Sequence, residues 1–275
     1  MEEAPRPAIH RRFERFPMRH NKVVSWLYHE VTDLPAESGF QNPAAWRYKI
    51  SISQFTSDLS AILASDSMVR TVYDLDEMTH PGPHPTLLTF DDGGASGLTV
   101  ADILEANGVK GHFLITTAKI GSPGFLNEKS IRALHERGHV IGSHSHSHRT
   151  PFSRLNVDEL LNEWNLSSTI LNEIIGQHIV AGSVPGGSFN DRVLIAASQA
   201  GLRHIFTSVP TYRIVTVNGA RVYGRLCPNQ STPRLLKQLG LRRWPIWPLT
   251  QAWNLRTALW NIKNRVQLAT PVPTW

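Results

Sequence analysis

Between residues 87 and 209, short apolar runs alternate with amphipathic helical stretches, and this alternation limits the fold more than any other feature of the chain. LLTFD at 87–91, HFLIT at 112–116, HVIGSH at 139–144, HIVAGSVP at 178–185 and HIFTSV at 204–209 read as strands. Residues 98–106, 128–137, a run of about twenty from Val157, and 190–200 read as helices, with Gly108 and Gly138 as breaks. Upstream, VVSWLYHE at 23–30 reads as a further strand, and Phe55, Leu59 and Leu63 as the buried stripe of a helix over 53–65. RIVTV and RVYGRL, later on, add one or two strands. Such alternation implies parallel strands with helices laid over them. The predicted fold is α/β, a distorted (β/α) barrel of seven strands with a helical C-terminal extension; an open doubly wound sheet would share the pattern. At 275 residues, 41% of them hydrophobic, the chain is long enough for one such domain with appendages.

The expected organisation is a basic arm over 1–21, the barrel over 22–230, and a basic, Trp-rich helical extension over 231–275. The extension carries Trp244, Trp247, Trp253, Trp260 and Trp275, and Pro245 and Pro248 split it into two helices. It would pack on the barrel or contact a membrane peripherally through 241–275. Asp191 is the last acidic residue, and the 84 residues after it hold twelve Lys or Arg. Such a field suits an anionic partner. No nucleic-acid recognition module is visible, and neither nucleic acid nor a nucleotide cofactor is expected. The lone Cys227 excludes an internal disulfide and a cysteine metal cluster. The first twenty residues show no export signal, and no run is long enough to cross a bilayer. The expected location is cytoplasmic, at the inner face of the membrane.

Two segments carry chemistry. In LLTFDDGG at 87–94 a strand delivers Asp91 and Asp92 just before two glycines. Adjacent carboxylates repel unless a cation or proton lies beside them, and the glycines allow a turn that aims both at one cavity. In IGSHSHSHRT at 141–150, His144, His146 and His148 alternate with serines. Neutral imidazole is a good ligand for borderline divalent metals. On a straight strand the three would share a face; in a turning loop His144 and His148 would converge.

Together these segments resemble the metal-dependent polysaccharide deacetylase family, the chitooligosaccharide deacetylase-like group of the carbohydrate esterase family 4 homology domain. TFDDG at 89–93 matches its first motif, His144 to His148 its His-Ser/Thr-x-x-His motif, and LYHEV at 27–31 its early strand, so the resemblance spans about 23–228. It implies Asp91 as general base and Asp92, His144 and His148 as ligands of one divalent ion, zinc first, with cobalt, nickel or manganese as alternatives. The family's Arg-x-Pro-x-Gly motif is replaced by GSVPGGSFN at 182–190. Pro185 and Gly187 match it, Ser183 stands at the arginine, and the N–H of Gly186 is implied as oxyanion donor. Asn190 or a distant arginine would have to replace the missing guanidinium. The family's Leu-x-His acid is absent, since no histidine follows His204. His29, His146, His204, a metal-bound water, or Asp91 once it has accepted a proton remain as donors, with the three histidines also as substrate contacts and Arg225 as a contact to an anionic substrate group. The implied activity is hydrolytic N-deacetylation of an N-acetylated amino sugar in a polysaccharide or its precursor, and the basic last third of the chain favours a phosphorylated, lipid-linked or acidic sugar over a neutral one. The alternatives are hydrolysis of a non-sugar C–N bond, and a catalytically weak glycan-binding barrel.

Overall fold

A computed structural model describes residues 22–77 and 85–232. The arm expected over 1–21 and all but the first two residues of the expected extension lie outside the described residues. In chain order the elements are β1 (Val24–Tyr28), β2 (Glu30–Val31), α1 (Pro43–Trp46), β3 (Lys49–Ile50), α2 (Ile52–Leu63), β4 (Met68–Val69), α3 (Val72–Glu77), β5 (Pro85–Phe90), α4 (Gly97–Ala106), β6 (His112–Ile115), α5 (Glu128–Glu136), β7 (Val140–Ser143), α6 (Val157–Ile175), β8 (Ala181–Ser183), α7 (Asp191–Gln199), β9 (His204–Phe206), β10 (Val215–Val217) and β11 (Ala220–Tyr223).

Seven strands run parallel in the order β1-β5-β6-β7-β8-β9-β11. The curl brings the two ends together just past β11. There Leu226 bridges Trp26, with Leu27 N–H donating to Leu226 O (2.8 Å) and Leu226 N–H to Ser25 O (2.8 Å). A single bridge at the seam makes this a distorted barrel, as the strand–helix alternation implied. β4 adds to the first residues of β5, and β10 pairs antiparallel with β11. The strand read over 23–30 is broken at His29. Beyond it β2 leaves the barrel and pairs with β3 in a two-stranded sheet.

Alternation along each strand sorts the side chains into two packings. Leu87, Leu114, Val140, Ala181, Phe206 and Tyr223, one from each of six strands, meet in a small cluster. Their neighbours Leu88, Phe113, Ile141, Ile205 and Val222 pack outward with the helices. The small cluster fills the barrel. Two residues earlier along β6 and β9, the same inward parity places His112 and His204 at the N-terminal end of the interior. Two residues later along β8 and β11 it places Ser183 and Arg225 at the C-terminal end, and Asp91 lies four beyond Leu87. The helices cover the outside for local reasons. α6 starts at an Asn156–Glu159 capping box and stops at Gly176 in the left-handed region. α2 buries Phe55, Leu59 and Ile62 at helical spacing. Among the described residues no helix is long and apolar enough to cross a membrane.

Candidate metal site

Asp91 directly follows β5, and its N–H donates to Tyr28 O (3.0 Å). On a continuing strand Asp92 would face away from it. Instead Asp92 takes a φ of 77°, a left-handed conformation that costs a non-glycine residue about 1–3 kcal/mol. The chain then turns at Gly93 and passes Gly94, where a Cβ would lie 1.8 Å from Glu30 Oε1. Only a glycine fits there. The turn leaves both carboxylates buried, Asp91 at 3% and Asp92 at 6% exposure.

At the end of β7, His144 N–H donates to Ile115 O (2.8 Å), and the chain then leaves the strand. Ser145 and His148 have φ of 63° and 56°. Ser145 Oγ accepts from His148 N–H (3.1 Å), which closes the loop. The loop turns, so His144 and His148 converge with ring centroids 5.0 Å apart. His146 departs, and its Nδ1 bonds Thr117 Oγ1 (2.9 Å). Phe40 packs on the outer side of His148, with centroids 4.9 Å apart.

Asp92 Oδ1 lies 3.4 Å from His144 Nε2 and 3.6 Å from His148 Nε2. All three ligand atoms fall within 4.8 Å of one another. Ligands about 2.0–2.2 Å from a tetrahedral ion stand roughly 3.4 Å apart, so this spacing fits one divalent cation. His144 Nδ1–H donates to Ser183 O (3.1 Å) and Oγ (2.6 Å), so Nε2 is the nitrogen that faces the cluster. Burial pushes this ring's pKa down, but Asp91 and Asp92 outweigh it and hold it above its ordinary value, so the Nε2 proton shared with Asp92 is the one a metal would displace. Burial holds the His148 imidazole down at about 4, with the His144 charge adding to it, so that ring is a neutral ligand at ordinary pH. Burial pushes the Asp92 carboxyl up, but the His144 hydrogen bond and the nearby imidazoles outweigh it and keep it ionised. The cluster is therefore a buried set capable of chelating a divalent metal.

Arg225 was expected to reach an anionic substrate group. The structure corrects this: its side chain is fully buried. Its Nη1 and Nη2 each donate to one Asp91 oxygen at 2.8 Å. Nε donates to Thr207 O (3.0 Å) and Nη1 to Thr89 Oγ1 (3.1 Å), leaving no reach to solvent. Burial pushes Asp91 up, but the Arg225 guanidinium and His144 outweigh it, so the carboxyl stays below its ordinary value. Ser183 Oγ–H donates to Asp91 Oδ1 (3.0 Å). The serine at the motif's arginine position thus links His144 to Asp91, while a guanidinium from across the barrel supplies the charge. Asn190, the other proposed substitute, is elsewhere: it caps α7 at Val193 N and donates to Ser153 O.

Of the donor histidines, His204 is at the wrong end of the barrel. Its Nδ1 bonds Tyr223 OH (3.0 Å) and its Nε2 bonds Asp76 (3.2 Å). His29, at the end of β1, is near the cluster, and Asp92, Asp91 and His144 all act on its charge. Burial lowers its pKa. Its ring stacks on Tyr48 (4.8 Å), and its buried Nδ1 has no hydrogen-bond partner among the described residues. Pro185, Gly186 and Gly187 form a tight turn after β8. A Cβ on Gly186 (φ 60°) would lie 3.0 Å from Thr150 Cγ2, so this turn rests against the chain just past His148. The sequence reading missed Ser183 as a link and Arg225 as the partner of Asp91. Strand parity was the available signal, since both lie two residues beyond inward-facing Ala181 and Tyr223.

An acid–imidazole cluster at the C-terminal mouth of a (β/α) barrel, with a second ionised carboxylate beside it, defines a class of proteins built to hold a divalent ion next to a base. Residues 79–205 match the family described as Polysaccharide deacetylase. It is 27% identical over 177 residues to the peptidoglycan-N-acetylmuramic acid deacetylase PdaA of Bacillus subtilis, covering 63% of this chain and 64% of that protein. Its fold matches IcaB from Ammonifex degensii (TM-score 0.67, 16% identity, 81% of this chain and 98% of that one). It also matches the Streptococcus pyogenes deacetylase PplD in complex with acetate (TM-score 0.61, 20% identity, 78% and 97%).

Proposed function

We propose that the chain is a metal-dependent hydrolase that removes acetyl from the nitrogen of an N-acetylated amino sugar in a polysaccharide or its precursor. The observation that carries this is the pairing of a metal-ligand cluster with a separate, ionised carboxylate, Asp91, held by Arg225. Asp92, His144 and His148 would hold a zinc ion, which when bound would supply Lewis acidity toward the amide carbonyl and lower the pKa of water. Asp91 accepts the proton of the attacking water. Arg225 and Ser183 hold both its oxygens in place, so it presents one orientation. The N–H of Gly186 is the donor assigned to the developing oxyanion, and Pro185 and Gly187 shape that turn.

With His204 at the far end and His146 tied to Thr117, the proton for the leaving amine comes from Asp91 itself. Arg225 makes Asp91 a weak base, so once protonated it gives its proton up readily. His29 is the second candidate, carried by its unpartnered nitrogen beside the cluster. The long acid-free stretch after Asp191 favours a phosphorylated, lipid-linked or acidic sugar, met at the inner face of a membrane. PdaA acts, by its name, on a residue that carries an acid. Acetate release from N-acetylated glycans of neutral and acidic type, by the wild type and by Asp91→Asn, tests the proposal. Release by the wild type alone supports it; release by neither, or by both equally, overturns it.

A further inference from the structure

Glu163 is a buried carboxylate, 6% exposed, that this chemistry does not use. It lies on the buried stripe of α6 with Leu160, Trp164, Ser167, Leu171 and Ile174, where helical spacing calls for an apolar residue. Both of its oxygens are taken by one residue. Ser147 N–H donates to Oε2 (2.8 Å) and Ser147 Oγ–H to Oε1 (2.5 Å). Ser147 directly precedes the metal-site residue His148. One turn along α6, Ser167 Oγ accepts from Ser143 Oγ (2.7 Å), and Ser143 Oγ accepts Ser145 N–H (3.0 Å). The helix therefore grips the histidine loop on both sides of left-handed Ser145.

We infer that Glu163 is a positioning residue for metal binding. It fixes Ser147, and through Ser147 it holds His148 in the left-handed conformation that aims the ring at Asp92 and His144. The inference rests on the reading of those three residues as ligands. His148 is the ligand with most to lose, since its side chain is 22% exposed against 3% for His144. Without the carboxylate, Ser147 N–H and Oγ turn to water, and the loop relaxes away from a strained backbone. Losing such an outer partner weakens metal binding by roughly 10–100-fold.

The test is zinc affinity of the full chain, by competition with a chromophoric chelator, alongside the Tm of the metal-free protein. Glu163→Ala should weaken zinc by roughly 10–100-fold. Glu163→Gln should stay within about threefold of wild type, because its amide oxygen can accept Ser147 N–H while its NH2 donates to Ser147 Oγ. Wild-type affinity in Glu163→Ala overturns the inference, whatever its Tm, and so does a Glu163→Gln as weak as Glu163→Ala. If Glu163→Ala does not fold, Ser147→Ala decides: weaker zinc at unchanged metal-free Tm supports the inference, and wild-type affinity overturns it. Asp92→Ala is the separating control. A wild type that binds zinc no better than Asp92→Ala defeats the ligand reading itself, not the role of Glu163.

Discussion

Two sets of histidines, His112, His139 and His204 at the N-terminal end of the barrel and His29, His144 and His148 at the C-terminal end, are treated in opposite ways. At the N-terminal end every ring nitrogen has a protein partner. His112 Nδ1–H donates to Leu88 O (2.8 Å) while Nε2 accepts Val72 N–H (3.0 Å). His139 Nδ1 accepts Gly111 N–H and its Nε2 meets Glu105; His204 sits between Tyr223 and Asp76. At the C-terminal end the nitrogens that face the cluster meet only one shared carboxylate or no described partner. His144 Nε2 and His148 Nε2 face the Asp92 carboxylate, and His29 Nδ1 has no described partner. A buried polar atom without a partner is expensive, so one end looks finished and the other looks built for a ligand. Residue type alone does not separate a structural histidine from a functional one; the partners of its nitrogens do.

Several substitutions would break or sharpen this contrast. The largest effect is expected for Asp91→Asn, which should cost activity by at least about a thousandfold while zinc content stays near that of the wild type. Comparable losses of activity and metal would place Asp91 among the ligands. Next comes Arg225→Met, which leaves Asp91 as a buried, uncompensated charge. A loss of stability of about 3 kcal/mol is expected in denaturant unfolding, with kcat falling about a hundredfold and KM little changed. A rise in KM with kcat intact would restore the substrate-contact role that the geometry denies. His29→Gln and His204→Asn then set the two ends side by side. The first should lower kcat without moving Tm, and the second should lower Tm without moving kcat; the reverse result would exchange their assignments.

The smallest effect is the pH response of His112. Burial brings its pKa down to about 4, against about 6.5 in an unfolded chain. Above about pH 6.5 both states are neutral and stability is independent of this group. As pH falls toward 4 the unfolded chain takes up a proton that the fold refuses. About 2 kcal/mol should therefore be lost by pH 5. Metal-free protein unfolded in urea at pH 7 and pH 5 should show this loss, and His112→Asn should flatten that part of the slope. An unchanged slope would mean that His112 is not held neutral.

Much of this was legible from the sequence. The seven-strand parallel barrel followed from apolar runs spaced by helical patterns, and the carboxylate and histidine segments were visible as unusual groupings at strand ends. The break at His29 was not, because VVSWLYHE reads as one extended run and the departure of β2 depends on its pairing with distant β3. The ambiguity between a straight and a turning histidine loop was settled by left-handed Ser145 and His148, a conformation that no propensity favours. Arg225 was misassigned because its partner lies 134 residues away in sequence. The acid-free stretch around it gave no sign that the guanidinium turns inward; only its parity with inward-facing Tyr223 carried that signal. Glu163 looked like any acidic residue on a helix, until the stripe around it proved to be buried.

The most direct test of the central claim is the zinc content of purified protein, measured per chain after exposure to excess zinc and desalting. About one zinc per chain is expected in the wild type and in Asp91→Asn, and close to none in Asp92→Ala, His144→Ala and His148→Ala. A wild type that retains no divalent ion, or an Asp92→Ala variant that retains a full complement, would contradict the account.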